Sequence, residues 1–258
     1  MIKAQKNNIK FFFLFISFLC LCIFNTSCGL DSIEVMEEPY PSNSNPIFDD
    51  VDHTQSFTDK TFSFTTNEST SYSEINLIGT AVYYKIYNNF SSMYSERSSL
   101  ILASESETSS ANSALTLMQL YKPLKASNSS DDILIPVSAG LQNQLVTIRL
   151  TDYDDNFSSF IKVNGNYLRT PSERCYPVRS FDSSGYAYSF NFGGSGDYDK
   201  KPESGNSDYK ESSSFSKPET YYVCLFAVSV GIDTTFTRQY SNIVYLGTVD
   251  INAASERN

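Results

Sequence analysis

The feature that most constrains the fold is an apolar run late in the chain, residues 221–229 (YYVCLFAVS). Successive side chains of a β-strand point to opposite faces, and both faces of this run are apolar. One face would carry Tyr221, Val223, Leu225 and Ala227, and the other Tyr222, Cys224, Phe226 and Val228. A strand that is apolar on both faces has to be covered on both sides. The run therefore predicts a central strand in a layered, mainly β domain.

Two other segments share this β-branched and aromatic character, Val82–Tyr87 (VYYKIY) and Tyr240–Tyr245 (YSNIVY). Together with the apolar run, they resemble strands C, G and F of a fibronectin type III or immunoglobulin-like β-sandwich. The resemblance implies a single β-sandwich domain, which we expect to span residues 60–252. The tryptophan usual in the core of that family is absent, because the chain contains no Trp.

Period-2 alternation and β-branched content predict the remaining strands. They are Thr61–Thr66, Ile78–Tyr87, a weaker one at Leu100–Ala103, Ile133–Val137, Leu145–Leu150, Phe160–Val163, Tyr186–Phe192, Tyr221–Val230 and Tyr240–Val249. One helix is predicted over residues 110–122, where apolar residues follow helical spacing until Pro123. We therefore expect a central insertion containing one helix. Two sequential sandwiches would leave too few strands for each.

Two segments lack periodicity and are rich in polar residues. Residues 28–59 contain prolines and acids and predict a flexible acidic tether. Residues 193–219 are rich in Gly, Ser, Lys and Glu and predict an exposed, mobile loop. This loop is either a dispensable spacer, which we favour, or a contact surface built on Tyr198 and Tyr209.

The N-terminal segment has the organisation of a secretory signal peptide. Three lysines precede an almost unbroken apolar run, residues 11–24, which is followed by Asn25-Thr26-Ser27-Cys28. The run is short for a helix that must cross ~30 Å of hydrocarbon. We therefore expect a signal peptide over residues 1–27, with an uncleaved membrane anchor as the alternative.

Cys28 at the polar end of this run resembles the lipobox cysteine of a bacterial lipoprotein. Asn25 stands where enterobacterial lipoboxes usually have Leu, so the match is to the relaxed lipobox of spirochaete lipoproteins. The resemblance implies cleavage between Ser27 and Cys28, a lipid on the Cys28 thiol, and anchorage in the cell envelope outside the cytoplasm. Gly29 follows instead of the Asp that retains enterobacterial lipoproteins in the inner membrane, which favours the outer membrane by analogy.

The charge of the chain argues against nucleic-acid binding. The formal net charge is −10, from 19 basic and 29 acidic residues. Residues 1–27 contain three lysines and no acid, so the 19 basic residues become 16 and the mature charge becomes −13. Such an acidic surface repels a phosphate backbone.

Residues that could carry chemistry are few. His53 is the only histidine, which excludes a three-His zinc site. The cluster Asp152, Asp154, Asp155 and Asn156 is oxygen-rich but lacks the Gly and Glu of a calcium loop. Gly193–Gly196 is followed by acids rather than by the Lys of a phosphate-binding loop. We therefore expect no metal and no cofactor.

Cys175 and Cys224 are the two thiols beyond Cys28, and we expect them not to form a disulfide. The overall prediction is a non-enzymatic lipoprotein that presents its sandwich for protein interaction or serves a structural role in the envelope. A small-ligand or carbohydrate-binding module is the first alternative, and an enzyme that uses carboxylates is the second. No feature of the sequence identifies the protein or glycan partner.

Overall fold

The computed structural model describes residues 36–50, 54–68, 72–105, 110–127, 129–138, 141–153, 157–169, 173–180 and 187–253. The chain divides into two units, Met1–Glu34 and Val35–Asn258, and all described residues belong to the second. Among these residues, no helix is both long enough and apolar enough to cross a membrane.

The described part of the chain is mainly β, with fourteen strands and two helices. The strands are β1 (Tyr40–Pro41), β2 (Phe62–Thr65), β3 (Ile75–Tyr87), β4 (Lys122–Pro123), β5 (Lys125–Ala126), β6 (Ile135–Pro136), β7 (Leu145–Arg149), β8 (Phe160–Val163), β9 (Asn166–Tyr167), β10 (Pro177–Val178), β11 (Tyr209–Lys210), β12 (Thr220–Asp233), β13 (Arg238–Tyr240) and β14 (Val244–Asn252). The helices are α1 (Phe90–Glu105) and α2 (Ser110–Leu120).

Strand β12 lies at the centre of a seven-stranded sheet, as the two-sided apolar run predicts. It pairs antiparallel with β3 along one edge and with β14 along the other, so that Val223 lies between Ile86 and Val249. Strands β4, β6 and β11 also pair with β3, and β11 is the parallel partner. A second, five-stranded antiparallel sheet has the order β1-β2-β7-β8-β9, and β5 pairs with β10 separately.

The two faces of β12 belong to two different cores. Val223 and Leu225 pack with the inward residues of the second sheet, such as Phe64. Cys224 and Phe226 pack with the buried side chains of α1 and α2. The domain therefore has three layers, with two helices, the seven-stranded sheet and the five-stranded sheet in that order.

Helix α1 corrects the prediction of a strand at Leu100–Ala103, which is wrong. The helix begins after Asn89, whose side-chain oxygen accepts a hydrogen bond from Ser92 N at 3.0 Å, as an N-cap does. Met93, Arg97 and Leu100 recur at helical spacing and are buried against the sheet. The insertion therefore contains two helices rather than one. The predicted helix over 110–122 is confirmed as α2, which ends at Leu120.

Other predicted strands are shortened or broken in the structure. In the described part of Tyr186–Phe192, the chain makes one isolated bridge, between Tyr188 and Arg179, so the predicted strand is wrong there. Strand β6 is shorter than predicted, because Ile133 N donates to Asp131 Oδ1 rather than to a neighbouring strand. The predicted strand over 240–249 is divided into β13 and β14.

The described part of the predicted tether belongs to the folded domain, which corrects the boundary placed at residue 60. Strand β1 pairs with β2, and Phe48 is fully buried with its ring 5.3 Å from that of Tyr222. Gln55 donates a hydrogen bond of 3.0 Å to the carbonyl of Thr248. Scattered apolar residues such as Met36 and Phe48 anchor this proline-containing segment despite its polar composition.

Residues 193–219 also differ from the exposed loop that their composition predicts. Asp208 within this segment is fully buried, and the next two residues form β11 along β3. The N–H of Ile86 in β3 donates to the Asp208 carbonyl at 2.9 Å. The segment is therefore fixed to the central sheet near its middle, although most of its other residues face solvent.

Candidate functional site

Several residues singled out by the sequence lie outside the described residues. They are Ser27, Cys28, His53, Asp154, Asp155 and Asn156. Within the described ranges, no group of three or more His, Cys, Asp or Glu side chains is placed to hold a metal ion. The expectation that the cluster around Asp152 holds no metal therefore stays a prediction, because three of its four residues are not described.

Cys175 and Cys224 are both buried and are not joined to each other by a disulfide, as expected. Cys175 belongs to the core between the sheets, and Cys224 belongs to the core beneath the helices, so the central sheet separates the two sulfurs. Burial raises the pKa of the Cys224 thiol to about 12. A thiol with this pKa is protonated at neutral pH and is a poor nucleophile.

A cleft of about 190 Å³ brings two acids, an asparagine and two tyrosines together. We call it the acid–tyrosine cleft, and define it by Asp152, Tyr176, Asn191, Tyr198 and Asp199. Asp152 follows the end of β7, and Tyr176 immediately precedes β10. The other three residues come from the irregular chain between residues 187 and 199. The sequence singled out Asp152 and Tyr198, but for unrelated reasons.

Asp152 and Asn191 hold each other in place. The amide Nδ2 of Asn191 donates to Asp152 Oδ2 at 2.9 Å, and Asp152 N donates back to Asn191 Oδ1 at 2.9 Å. The other carboxylate oxygen, Asp152 Oδ1, accepts the N–H of Ser159 at 2.5 Å. These reciprocal bonds set the orientation of both side chains before any ligand arrives.

The glycine-rich stretch folds around Asp199. Its carboxylate accepts the Ser189 hydroxyl at 2.5 Å and the Gly196 N–H at 3.2 Å, and its carbonyl accepts the N–H of Gly193 at 2.8 Å. A Cβ on Gly196 would lie 2.9 Å from Asp199 Oδ2, so a larger residue there would displace the Asp199 carboxylate from its present position. The Gly196 N–H therefore binds a carboxylate, and the Gly193 N–H a main-chain carbonyl, of the chain itself rather than a phosphate.

The two tyrosines supply the open side of the cleft. Tyr176 is 41% exposed and Tyr198 is 49% exposed. The ring of Tyr198 packs edge-on against that of Tyr188, with centroids 6.4 Å apart. Exposed tyrosine rings offer large contact area with two rotatable bonds and a polar tip. With carboxylate and amide oxygens as acceptors, the cleft combines a flat apolar surface with fixed hydrogen-bonding groups.

A second polar cluster, which the sequence did not indicate, lies where α1 meets the central sheet. Glu96 accepts hydrogen bonds of 2.6 Å from both Lys85 and Lys210 and one of 2.9 Å from Tyr87. Burial raises the pKa of Glu96, but the bonds from Lys210 and Lys85 outweigh it and leave the pKa lowered. Three donors from the sheet hold this carboxylate, which fixes α1 against β3 and β11.

Comparison with known proteins identifies no relative of this chain. No family model matches the chain, and no curated protein or solved structure shows a significant similarity to it. The function is therefore argued from the sequence pattern and from the geometry of the domain.

Proposed function

We propose that this chain is a lipid-anchored, extracytoplasmic protein of the bacterial envelope, with its mature N-terminus at Cys28 and a preference for the outer membrane. The observation that carries the proposal is the order of lysines, short apolar run and Thr26-Ser27-Cys28 in the sequence. Two or more acyl chains hold a protein stably on a bilayer. The folded domain, whose first described residue is Met36, is then displayed on the surface of a membrane.

We further propose that the module is related in type to fibronectin type III or immunoglobulin-like sandwiches and acts by binding rather than by catalysis. The order β3-β12-β14, antiparallel throughout, supports the type, because strands C, F and G are neighbours in that order in such sandwiches. Many sandwiches of this kind present loops to a partner, and here the partner is a protein or a structural component of the envelope.

Acyl labelling of cells that produce the protein tests the anchor. Cells fed labelled palmitate should label the wild-type chain, and Cys28→Ala should remove that label, because the thiol that accepts the lipid is gone. Cys22→Ala is the matched control. Cys22 lies inside the apolar run, so its loss should leave labelling unchanged. Undiminished labelling of the Cys28→Ala chain would show that Cys28 is not the anchor.

Saccharide binding is a second candidate function, and the acid–tyrosine cleft favours it. Tyrosine rings can stack on the apolar face of a sugar ring while fixed carboxylate and amide groups hydrogen-bond its hydroxyls. The orientation of Asp152 and Asn191 is set in advance, which lowers the entropic cost of binding. An uncharged or amino-substituted sugar suits a cleft with two carboxylates better than an acidic sugar does.

A glycan-binding screen with the detergent-solubilised full-length protein tests this candidate. Tyr198→Ala should weaken binding of any bound glycan about tenfold or more, which corresponds to about 1.4 kcal/mol. Tyr40→Ala is the control, because Tyr40 is 55% exposed in β1 and lies outside the cleft. A protein that binds no glycan, or equal loss from both variants, would count against the cleft.

A further inference from the structure

The turn between β12 and β13 presents an unusually exposed aromatic side chain. Phe236 is 90% exposed, more than any other large hydrophobic residue that the structure describes. Its backbone has a φ of 63°, a left-handed conformation that a bulky residue rarely adopts. We call residues 233–237 the Phe236 tip.

Asp233 holds the Phe236 tip in one conformation. Its Oδ1 accepts the N–H groups of Thr235 at 2.8 Å and Thr237 at 2.9 Å, and its Oδ2 accepts the side-chain amide of Gln239 at 2.8 Å. The Thr235 hydroxyl and these other hydrogen bonds lower the pKa of Asp233 to about 2. The carboxylate is therefore ionised at neutral pH, and the tip is held in its strained shape. Strain maintained by surrounding bonds is a reason to look for function.

The Phe236 tip lies at the same end of the domain as the start of the described chain. A Cβ on Gly231 would lie 2.4 Å from Ile75 Cγ2 and 3.1 Å from the sulfur of Met36, so Met36 packs beside the last residues of β12. Phe236 follows Gly231 by five residues. Cys28 precedes Met36 by eight residues, and these span at most about 28 Å when fully extended.

We propose that Phe236 inserts into the interfacial region of the membrane that carries the lipid on Cys28. This inference rests on the proposed anchor, because it is the short connection from Cys28 to Met36 that brings this end of the domain to the bilayer. The chemistry of the tip suits an interface. Threonine hydroxyls flank the ring, and Asp233 and Arg238 cancel in formal charge over residues 233–238. Because the mature chain is strongly acidic, the expected surface is zwitterionic rather than anionic.

Insertion of a single ring is effective only because the protein is already tethered. Burial of one Phe side chain alone is too weak to hold a free protein on a membrane. In a tethered protein, by contrast, the lipid anchor keeps the Phe236 ring close to the bilayer, at an effective concentration on the order of millimolar. Phe236 thus serves as a second point of contact, which restricts the orientation of the domain.

This orientation would direct the acid–tyrosine cleft away from the membrane. Asn191 of the cleft precedes Phe192, whose ring lies 5.1 Å from that of Tyr221 near the start of β12. The Phe236 tip follows the other end of the same strand. The twelve residues from Tyr221 to Asp233 span roughly 40 Å at ~3.4 Å per residue.

The absence of tryptophan from the chain makes a direct test possible. Phe236→Trp in the full-length, acylated protein introduces a single tryptophan at the tip. After reconstitution into phosphatidylcholine vesicles, its emission should shift to shorter wavelength and should be quenched by lipids brominated on their acyl chains. Tyr198→Trp is the matched control, because it places the single tryptophan in the cleft, where neither change is expected.

Flotation of the vesicles separates failure of the insertion from failure of the anchor. If the Phe236→Trp protein floats with the vesicles but its emission stays unshifted and unquenched, insertion is wrong while the anchor stands. Quenching equal to that of Tyr198→Trp would also overturn the inference. If the protein does not float, the anchor fails and the insertion that depends on it falls as well. Matching thermal unfolding of both variants and wild type excludes misfolding as the cause.

Discussion

At the scale of single residues, the feature with the strictest hydrogen-bonding requirement is a fully buried ion pair between Arg179 and Asp208. Arg179 Nε and Nη2 donate to the two carboxylate oxygens at 2.8 and 3.0 Å, and the Tyr84 hydroxyl donates to Asp208 Oδ2 at 2.7 Å. Arg179 also donates to the Lys200 carbonyl and to Asn206. A buried charge is tolerated only when its partners are complete, so this network fixes residues 200–208 to β3.

Removal of one member of the pair should destabilise the domain, because the other member stays buried. Asp208→Ala leaves the Arg179 guanidinium buried without its carboxylate, and loss of one member of a buried pair destabilises a protein by about 3–5 kcal/mol. Urea unfolding of wild type and variant should show a decrease of this size in the free energy of unfolding.

Lys201→Gln provides the control from the same segment. The Lys201–Glu219 pair is nearly half exposed on both sides, and exposed pairs contribute about 0–1 kcal/mol. If Asp208→Ala costs no more than Lys201→Gln, the Arg179–Asp208 pair is not the structural centre of this segment.

At the scale of elements, the sequence predicts well where burial alone determines the pattern. Strands β3 and β12 are long, apolar on both faces, and found close to the predicted positions. The sequence pattern does not predict helix α1, because its inward face is Met93, Arg97 and Leu100 among many serines, which leaves a weak apolar period. Its position depends on Glu96 and the lysines of β3 and β11, and contacts of this kind have no local signature.

The acid–tyrosine cleft was only partly predictable for a similar reason. Asp152 attracts notice as part of an acidic cluster, and Tyr198 as an aromatic in a polar loop. Asn191, Asp199 and Tyr176 belong to no motif in the sequence. The residues are up to 47 positions apart in the sequence, and they meet only through tertiary contacts that periodicity does not report.

Replacement of residues 195–213 by a short Gly-Ser turn tests whether this segment is a structural element. The change removes Asp208, β11 and the Lys210 contact with Glu96, and leaves Arg179 buried without its partner. The loss of about 3–5 kcal/mol expected for the pair alone corresponds to a decrease in Tm of roughly 6–20 °C for a domain of this size.

A Gly-Ser pair inserted after Gly165 is the control for added loop length. A Cβ at Gly165 would meet no atom within 4 Å, and loop closure costs little for a few extra residues. The Tm of this control should change little. If the deletion variant is as stable as the control, the segment is a dispensable spacer, as its composition alone suggests.

At the scale of the whole molecule, the three-layered domain has two distinct ends, and the proposed lipid on Cys28 gives each end a different role. The end that carries Met36 and the Phe236 tip is proposed to face the bilayer. The end that carries the acid–tyrosine cleft is proposed to face a partner. The central claim beneath both assignments is that the mature chain begins at a lipid-modified Cys28.

Mass spectrometry of the N-terminal peptide, from protein extracted out of membranes, measures this claim directly. We expect the mature chain to begin at Cys28, because cleavage follows Ser27, and the peptide to carry the added mass of a diacylglyceryl group, with or without a further acyl chain on the amine. The same peptide after alkaline hydrolysis of ester-linked chains should lose the corresponding mass, which provides an internal control. A chain that begins at Met1, or one that begins at Cys28 with an unmodified thiol, would contradict the account.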